Sequence, residues 1–311
     1  MCGIAGIIYR NGNGAQRLGA DMTRMLQSMK HRGPDSTGYA LYRPPTAELI
    51  LRIKLADGEG NGDIEWADRL RHRREEVKAR LRAAGASLAS MEEVNDYTIA
   101  ARLDYDGDLK HLADYVESVP GAEVLSAGSA LEIVKDLGDA KTVGDAYKLD
   151  SYLGTHGIGH VRMATESDVD ISNAHPYWAY PFSDVAVVHN GQLTNYHQWR
   201  RRLERLGHRF ASDCDSEIIA VYLAQKMAEG ATLEQAMRMS LEDLDGVFTY
   251  ICVSDDALGM AKDEMAAKPL VLYEGDDMVV LASEEIAIRA VIDREIETYD
   301  PYESEVMVWT R

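Results

Sequence analysis

Residues 2–9, CGIAGIIY, are almost continuously apolar and are followed by NGNG, the pattern of a buried strand ended by a turn. Leu18, Met22, Met25, Leu26 and Met29 then recur at helical spacing, which predicts a helix within 15–30. In HRGPDSTGY (31–39), Gly33, Pro34 and Gly38 stop that helix. ALY and ELILRIKL read as the two strands of a hairpin around Pro44 and Pro45.

From about Asp57 to about Asp150 the texture changes. Gly58–Asp63 reads as a flexible connection, and residues 64–84 as a charged helix rich in Arg, Glu and Ala. DYTIAARLDY predicts a strand, DLKHLADYVESV a helix, AEVLSAG a strand and SALEIVKDLG a helix. This alternation predicts a small α/β subdomain at 57–150, inserted within a larger domain spanning 2–311. After Ser151 the strand signals return in THGIGHVRM (155–163) and in DVAVVHNG (184–191), the latter ending in an Asn-Gly turn signal. Three helices are predicted next: YHQWRRRLERLG, closed by Gly207, then SEIIAVYLAQKMAEG and TLEQAMRMSLEDL. GVFTYICVSD, LGMAKD, PLVLYEG, MVVLASE and EVMVWT make a run of short strands. Strands at both ends around central helices predict an α+β fold of stacked sheets sandwiched by helices.

Charge narrows the function classes. With 33 basic against 52 acidic residues, the formal net charge is -19, which opposes binding to nucleic-acid phosphates and to anionic membranes. No apolar run has the length needed to span a bilayer, and MCGIAGIIYR has no basic flank before its apolar stretch, so neither a membrane span nor a signal peptide is expected. Cys2, Cys214 and Cys252 are too few for a disulfide framework and point to a reducing cytoplasm.

Five segments carry candidate chemistry. Removal of Met1 would leave Cys2 with a free α-amine. An α-amine titrates near ~8 and a thiol near ~8.5, so nucleophile and general base can sit on one residue. His189-Asn190-Gly191 offers an amide side chain and a glycine N–H as donors to an oxyanion, though Asn-Gly is also the commonest hairpin turn. In GHVRMATES (159–167), Arg162 suits a carboxylate and Thr165 adds a hydroxyl; the plain alternative is a surface ion pair. Asp215, within Asp213–Glu217 ahead of an apolar helix, suits an ammonium group, with helix capping as the alternative. HRGPDS (31–36) is either a loop closing over a site or a turn pinned by an Arg32–Asp35 contact.

Singly these segments are ambiguous, but their order is not. Cys2, HRGPDS, GHVRMAT, SNAHP, HNG and the acid-rich helix start resemble the class II glutamine amidotransferases, which have the N-terminal nucleophile (Ntn) hydrolase fold. AKDEMAAKPLVLYEG and LASEE resemble later segments of that family, and the likeness skips the middle of the chain. The resemblance implies a four-layer α-β-β-α sandwich that hydrolyses L-glutamine through a Cys2 thioester. It implies that Cys2 is the nucleophile, and that Asn190 with the Gly191 N–H forms the oxyanion hole. Arg162 and Thr165 would then hold the substrate α-carboxylate, and Asp215 its α-ammonium group. Arg32 would shape the pocket, and His175 would support Arg162. The chain departs from the family pattern at Met163, Glu166 and Ala266, where an aromatic residue, a histidine and a glycine are usual.

GHVRMATES followed by NAHPYW resembles the separate amidotransferase subunits related to glutamate synthase, such as that of N-methylglutamate synthase. This implies partner subunits that accept ammonia and carry a flavin and iron–sulfur core. No P-loop and no G-x-G-x-x-G occurs in this chain, so no cofactor is expected in it. His156, His160 and His189 suggest a metal site, but His156 and His160 are spaced too far apart along a strand to share one ion, so satisfied core histidines are expected instead. Two other readings stay open: an Ntn amide hydrolase of different specificity, and a non-catalytic glutamine sensor or scaffold subunit.

Overall fold

The computed structural model describes residues 2–10, 16–56, 64–163 and 171–311. The expected NGNG turn and the Gly58–Asp63 connection lie outside the described residues. In chain order come β1 (Gly3–Tyr9), α1 (Leu18–Ser28), β2 (Ser36–Tyr42), β3 (Leu49–Lys54), α2 (Ile64–Ala83), β4 (Ser87–Glu93) and β5 (Thr98–Asp104). There follow α3 (Leu109–Glu117), β6 (Glu123–Gly128), β7 (Leu131–Leu137), α4 (Ala140–Ala146), β8 (His156–Arg162), β9 (Tyr177–Trp178) and β10 (Ala186–Leu193). Next are α5 (Tyr196–Arg205), α6 (Ser216–Ala228), α7 (Leu233–Asp243), β11 (Gly246–Val253) and β12 (Ala257–Lys262). The last elements are β13 (Val271–Glu274), β14 (Met278–Ala282), α8 (Glu285–Arg289) and β15 (Val306–Thr310).

Two antiparallel sheets stack face to face. The first has the order β13-β14-β1-β8-β2-β7, and the second β15-β12-β11-β10-β9. Helices α1, α4 and α8 cover the outer face of the first sheet, and α6 and α7 that of the second. Side-chain alternation builds these layers. In β1, Ile4 and Ile8 pack between the sheets with Ile158, Val188, Ile251 and Met260, while Ala5, Ile7 and Tyr9 pack against α1 and α8. A strand buried on both faces needs no polar positions, which is why CGIAGIIY reads as an unbroken apolar run. The architecture is therefore the four-layer α-β-β-α sandwich of an α+β fold.

A third sheet, β4-β5-β3-β6, is antiparallel throughout and carries α2 and α3. It spans 49–128 rather than 57–150, for two reasons. First, β2 and β3 do not form the expected hairpin: Pro44 and Pro45 carry the chain from the first sheet to the third. Second, SALEIVKDLG does not form a helix but supplies β7, the edge of the first sheet paired with β2. Its Ile133 and Val134 are buried on opposite faces, so period-two burial overrides the helical reading. The segment SLASMEE, which gave no strand signal, forms β4 at the exposed edge.

The β6–β7 turn is tied to the main body by Asp184. Its Oδ1 accepts from the Ala130 and Leu131 N–H groups at 2.8 Å each, and its Oδ2 from the Ser129 N–H at 2.8 Å. Asp184 is buried and sits at φ 57°, a conformation that Asp and Asn tolerate better than most residues. Asp184→Ala leaves three backbone donors without their acceptor, and is expected to lower the unfolding free energy by roughly 3 kcal/mol. Asp184→Asn is expected to cost clearly less. Chemical denaturation of the two variants checks this, and equal losses would contradict it.

Candidate active site

Strand parity brings the candidate residues to one place. Cys2 shares the parity of Ile4, which faces the second sheet. In β8, Ile158 faces the same cleft, and so therefore do His156, His160 and Arg162. In β10, Val188 and Asn190 face it from the opposite sheet. Gly3 pairs with Val161, which sets the start of β1 beside the end of β8.

The Cys2 thiol donates to the Met163 carbonyl across 3.7 Å. The Cys2 carbonyl accepts from Asn190 Nδ2 at 3.2 Å and from Arg32 Nε at 3.1 Å. Arg32 finds its carboxylate partner in Glu284, with Nη1 2.6 Å from Oε1, and His31 lies 3.1 Å from the other oxygen. Burial opposes the charge of Glu284, but Arg32 and His31 hold its carboxyl below the usual carboxylate range. Sequence reasoning passed over Glu284, although it sits in the LASEE segment that carries part of the family likeness.

Two glycines of the HRGPDSTG segment are fixed by close approach. A Cβ on Gly33 would lie 2.5 Å from backbone atoms of Val161 and Arg162, and one on Gly38 would lie 2.0 Å from the His175 carbonyl. The Asn190-Gly191 pair is not the expected turn. β10 continues through it to Leu193, with Gly191 opposite Phe248. Gly191 adopts φ 145°, and a Cβ there would lie 2.2 Å from the Val247 carbonyl. The glycine is thus demanded by a strand that bends while passing very close to its neighbour.

Asp215 occupies the position before α6 without capping it by its side chain. Its Oδ2 instead accepts from the Leu193 N–H at 2.7 Å, tying the acid to β10 three residues after Asn190. Glu217 secures the preceding loop, accepting from the Ala211 and Ser212 N–H groups at 2.8 and 2.9 Å. Arg162 is buried at 5% exposure, while Thr165 and Glu166 lie outside the described residues.

Behind these groups stand three buried histidines. His160 stacks on His175 with ring centroids 4.0 Å apart, and the His189 ring is 6.4 Å from that of His175. The His189 N–H donates to His175 Nδ1 at 3.2 Å, so neutral His175 carries its proton on Nε2, facing the Cys214 sulfur 3.9 Å away. His160 Nε2 donates to the His189 carbonyl at 3.2 Å, and His189 Nδ1 lies 2.7 Å from the Ser216 hydroxyl. His160 Nδ1 and His189 Nε2 have no hydrogen-bond partner among the described residues. The expectation of satisfied core histidines therefore holds for His156, bonded to Thr155 and Ser254, but only in part for His160 and His189. Among the described residues, no group of three His, Cys, Asp or Glu side chains is arranged to hold a metal ion, and no helix is long and apolar enough to cross a membrane.

The structure thus joins Cys2, Asn190 and Arg32 directly, and sets Arg162 beside Met163, the residue whose carbonyl meets the thiol. Asp215 and His175 each reach β10 through one hydrogen bond.

Comparison with known proteins gives the chain a family. A family model described as a glutamine amidotransferase domain matches residues 160–290. A Methanothermobacter thermautotrophicus protein named "Putative glutamine amidotransferase" is 39% identical over 98% of this chain and 99% of its own length. The glutamine amidotransferase-like protein GlxB of Rhizobium meliloti is 35% identical over 99% of this chain and 98% of its own. Among solved structures, the glutamine phosphoribosylpyrophosphate amidotransferase of B. subtilis superposes with a TM-score of 0.62 at 18% identity. That match covers 99% of this chain and 47% of the other, and shows a shared fold.

The buried histidines set an acid limit on stability. Burial lowers the His160 pKa to about 3 and the His156 pKa to about 4, from an ordinary value of 6.5. Folding favours the neutral rings. Their contribution is therefore present above pH ~6.5 and lost as pH falls through that value toward the folded pKa values. Unfolding free energy is expected to decline from pH 6.5 to 4, and to decline less steeply in His160→Asn. Denaturation at a series of pH values checks this, and an identical slope in the variant would contradict it.

Proposed function

The chain belongs to the class II glutamine amidotransferases, and on that premise we propose that it hydrolyses L-glutamine to glutamate and ammonia with Cys2 as the nucleophile. The observation that carries this reading is the contact of Asn190 and Arg32 with the Cys2 carbonyl, which brackets the thiol-bearing residue between the two sheets.

Once Met1 is removed, the Cys2 α-amine takes the thiol proton, and the sulfur attacks the side-chain amide carbon of glutamine. The oxyanion so formed is stabilised by the Asn190 side-chain amide and the Gly191 N–H. The amide C–N bond breaks as the α-ammonium returns its proton to the leaving nitrogen, giving ammonia and a γ-glutamyl thioester on Cys2. The α-amine then deprotonates a water, which attacks the thioester carbon. Glutamate leaves and the thiol is restored. Arg162 and Thr165 bind the substrate α-carboxylate, and Asp215 binds its α-ammonium group. His175 props β8, which bears Arg162, against β10 by stacking on His160 and accepting from the His189 N–H, and Arg32 fixes the Cys2 carbonyl through its pair with Glu284.

Ammonia released here passes to an acceptor site on a separate synthase subunit. The partner class we favour is a glutamate-synthase-like core, with N-methylglutamate synthase as the specific case. Support comes from the run GHVRMATES followed by NAHPYW.

Cys2→Ala is expected to abolish glutamate release. Asn190→Ala is expected to lower kcat by roughly 100-fold or more with little change in KM, as loss of one oxyanion donor does. Asp215→Ala is expected to act chiefly on KM. Steady-state assays of glutamate formation check these outcomes, and retained turnover in Cys2→Ala would overturn the proposal.

A further inference from the structure

The third sheet does not hang free of the candidate site. Polar clamps join it to the two segments that carry His175 and Asp215. In the first clamp, Lys54 of β3 lies 2.5 Å from Glu123 of β6, and both meet the Ser172 hydroxyl at 2.7 Å. Beside it, Lys135 of β7 donates to the Ala174 carbonyl at 3.0 Å, one residue before His175. Lys54 and Lys135 are 6% and 4% exposed. Burial opposes the charge of Glu123, but Lys135 and Lys54 outweigh it and hold the carboxyl below its ordinary value.

In the second clamp, Arg209 Nε lies 2.6 Å from Asp114 of α3, and Nη1 lies 2.5 Å from Glu117. The guanidinium also stacks 4.0 Å over the Tyr180 ring, whose hydroxyl donates to Asp114 at 2.5 Å. Arg209 opens the loop that Glu217 pins at Ala211 and Ser212, and that loop ends at Asp215. The segments held by the two clamps meet where His175 Nε2 faces Cys214.

Apolar packing also joins the third sheet to the main body, since Leu51, Ile53 and Val124 share one core cluster with Ile4, Ile158 and Val188; the clamps add polar contacts aimed at two particular segments. Charges removed from water are costly unless paired. The Arg209 pairs span the boundary between the third sheet and a site-bearing segment, and the Lys54–Glu123 pair, which lies within the third sheet, reaches across it through the Ser172 hydroxyl. We propose that Glu123 and Arg209 are positioning residues for glutamine, through which the third sheet sets the geometry of the α-amino-acid end of the pocket. This rests on the glutaminase reading above. A partner that strained the third sheet would thereby alter glutamine binding without touching Cys2.

The test compares Glu123→Gln, Arg209→Gln and the milder Ser172→Ala with Arg74→Gln, which breaks an ion pair between α2 and Glu93 of β4 and touches neither clamp. Each full-length variant is titrated with a diazo-ketone analogue of glutamine, and the concentration dependence of Cys2 labelling is read by intact mass. Thermal unfolding of the same samples is recorded. The half-saturating concentration is expected to rise roughly tenfold in Glu123→Gln and Arg209→Gln and a few-fold in Ser172→Ala, with the limiting labelling rate nearly unchanged. Arg74→Gln should match the unaltered chain. A purely structural role would lower the unfolding midpoint and leave the half-saturating concentration alone, which overturns the proposal. An equal rise in Arg74→Gln also overturns it. If Glu123→Gln and Arg209→Gln do not fold, Ser172→Ala decides alone. Absence of labelling in the unaltered chain would instead defeat the glutaminase reading itself.

Discussion

The register that pairs Gly3 with Val161 decides where every reactive group sits. It places Cys2 at the mouth of the cleft between the sheets, on the face shared by Ile4 and Ile158, and next to the end of β8 that bears Arg162. A slip of β1 by one residue would turn Cys2 toward the α1 layer, onto the face opposite Arg162. The register is guarded by steric fit. A Cβ on Gly3 would lie 2.9 Å from Val161 Cγ2, and Gly33 lets the loop after α1 rest directly on the β8 backbone. Arg32 can reach the Cys2 carbonyl only because that loop lies so close.

Around this frame the charges are arranged to stay put. Glu284 is answered by Arg32, Glu123 by Lys54 and Lys135, and Arg209 by Asp114, while burial raises the carboxyl of its second partner, Glu117, to about 7. The histidines at the centre are neutral because burial removes the solvation that their protonated forms need. Neutral rings can accept as well as donate, and His175 uses that freedom to take the His189 N–H, holding β10 just before Asn190. Burial thus turns residues that would otherwise titrate near neutrality into fixed struts.

Much of this was legible in the sequence, and the failures share a cause. Two-sided strands such as CGIAGIIY announce themselves by unbroken apolarity, and helices such as SEIIAVYLAQKMAEG by length. The segment SALEIVKDLG misled because its apolar residues fit a helix face as well as a two-sided edge strand, and only the partner β2 decides between them. Asn190-Gly191 misled in the opposite way: a strong turn signal is here a bent strand, since the glycine answers to the Val247 carbonyl rather than to a hairpin. Ala266, where the sequence resemblance led to the expectation of glycine, sits at φ 50°, a left-handed conformation that glycine adopts more readily than alanine. Cys2, Asn190 and Arg32, which the structure sets in contact, stood out in the sequence through the order of their segments, whereas Glu284 and the two clamps depend on pairings between distant segments that no local pattern carries.

The central claim is that the Cys2 thiol, freed at the N-terminus, is the group that attacks glutamine. Peptide mapping by mass spectrometry after treatment with a diazo-ketone analogue of glutamine tests it most directly. The account predicts an N-terminal peptide that begins at Cys2 and carries the analogue's added mass, with Cys214 and Cys252 unmodified. An adduct on Cys214 or Cys252, or an unmodified Cys2 peptide, would contradict it.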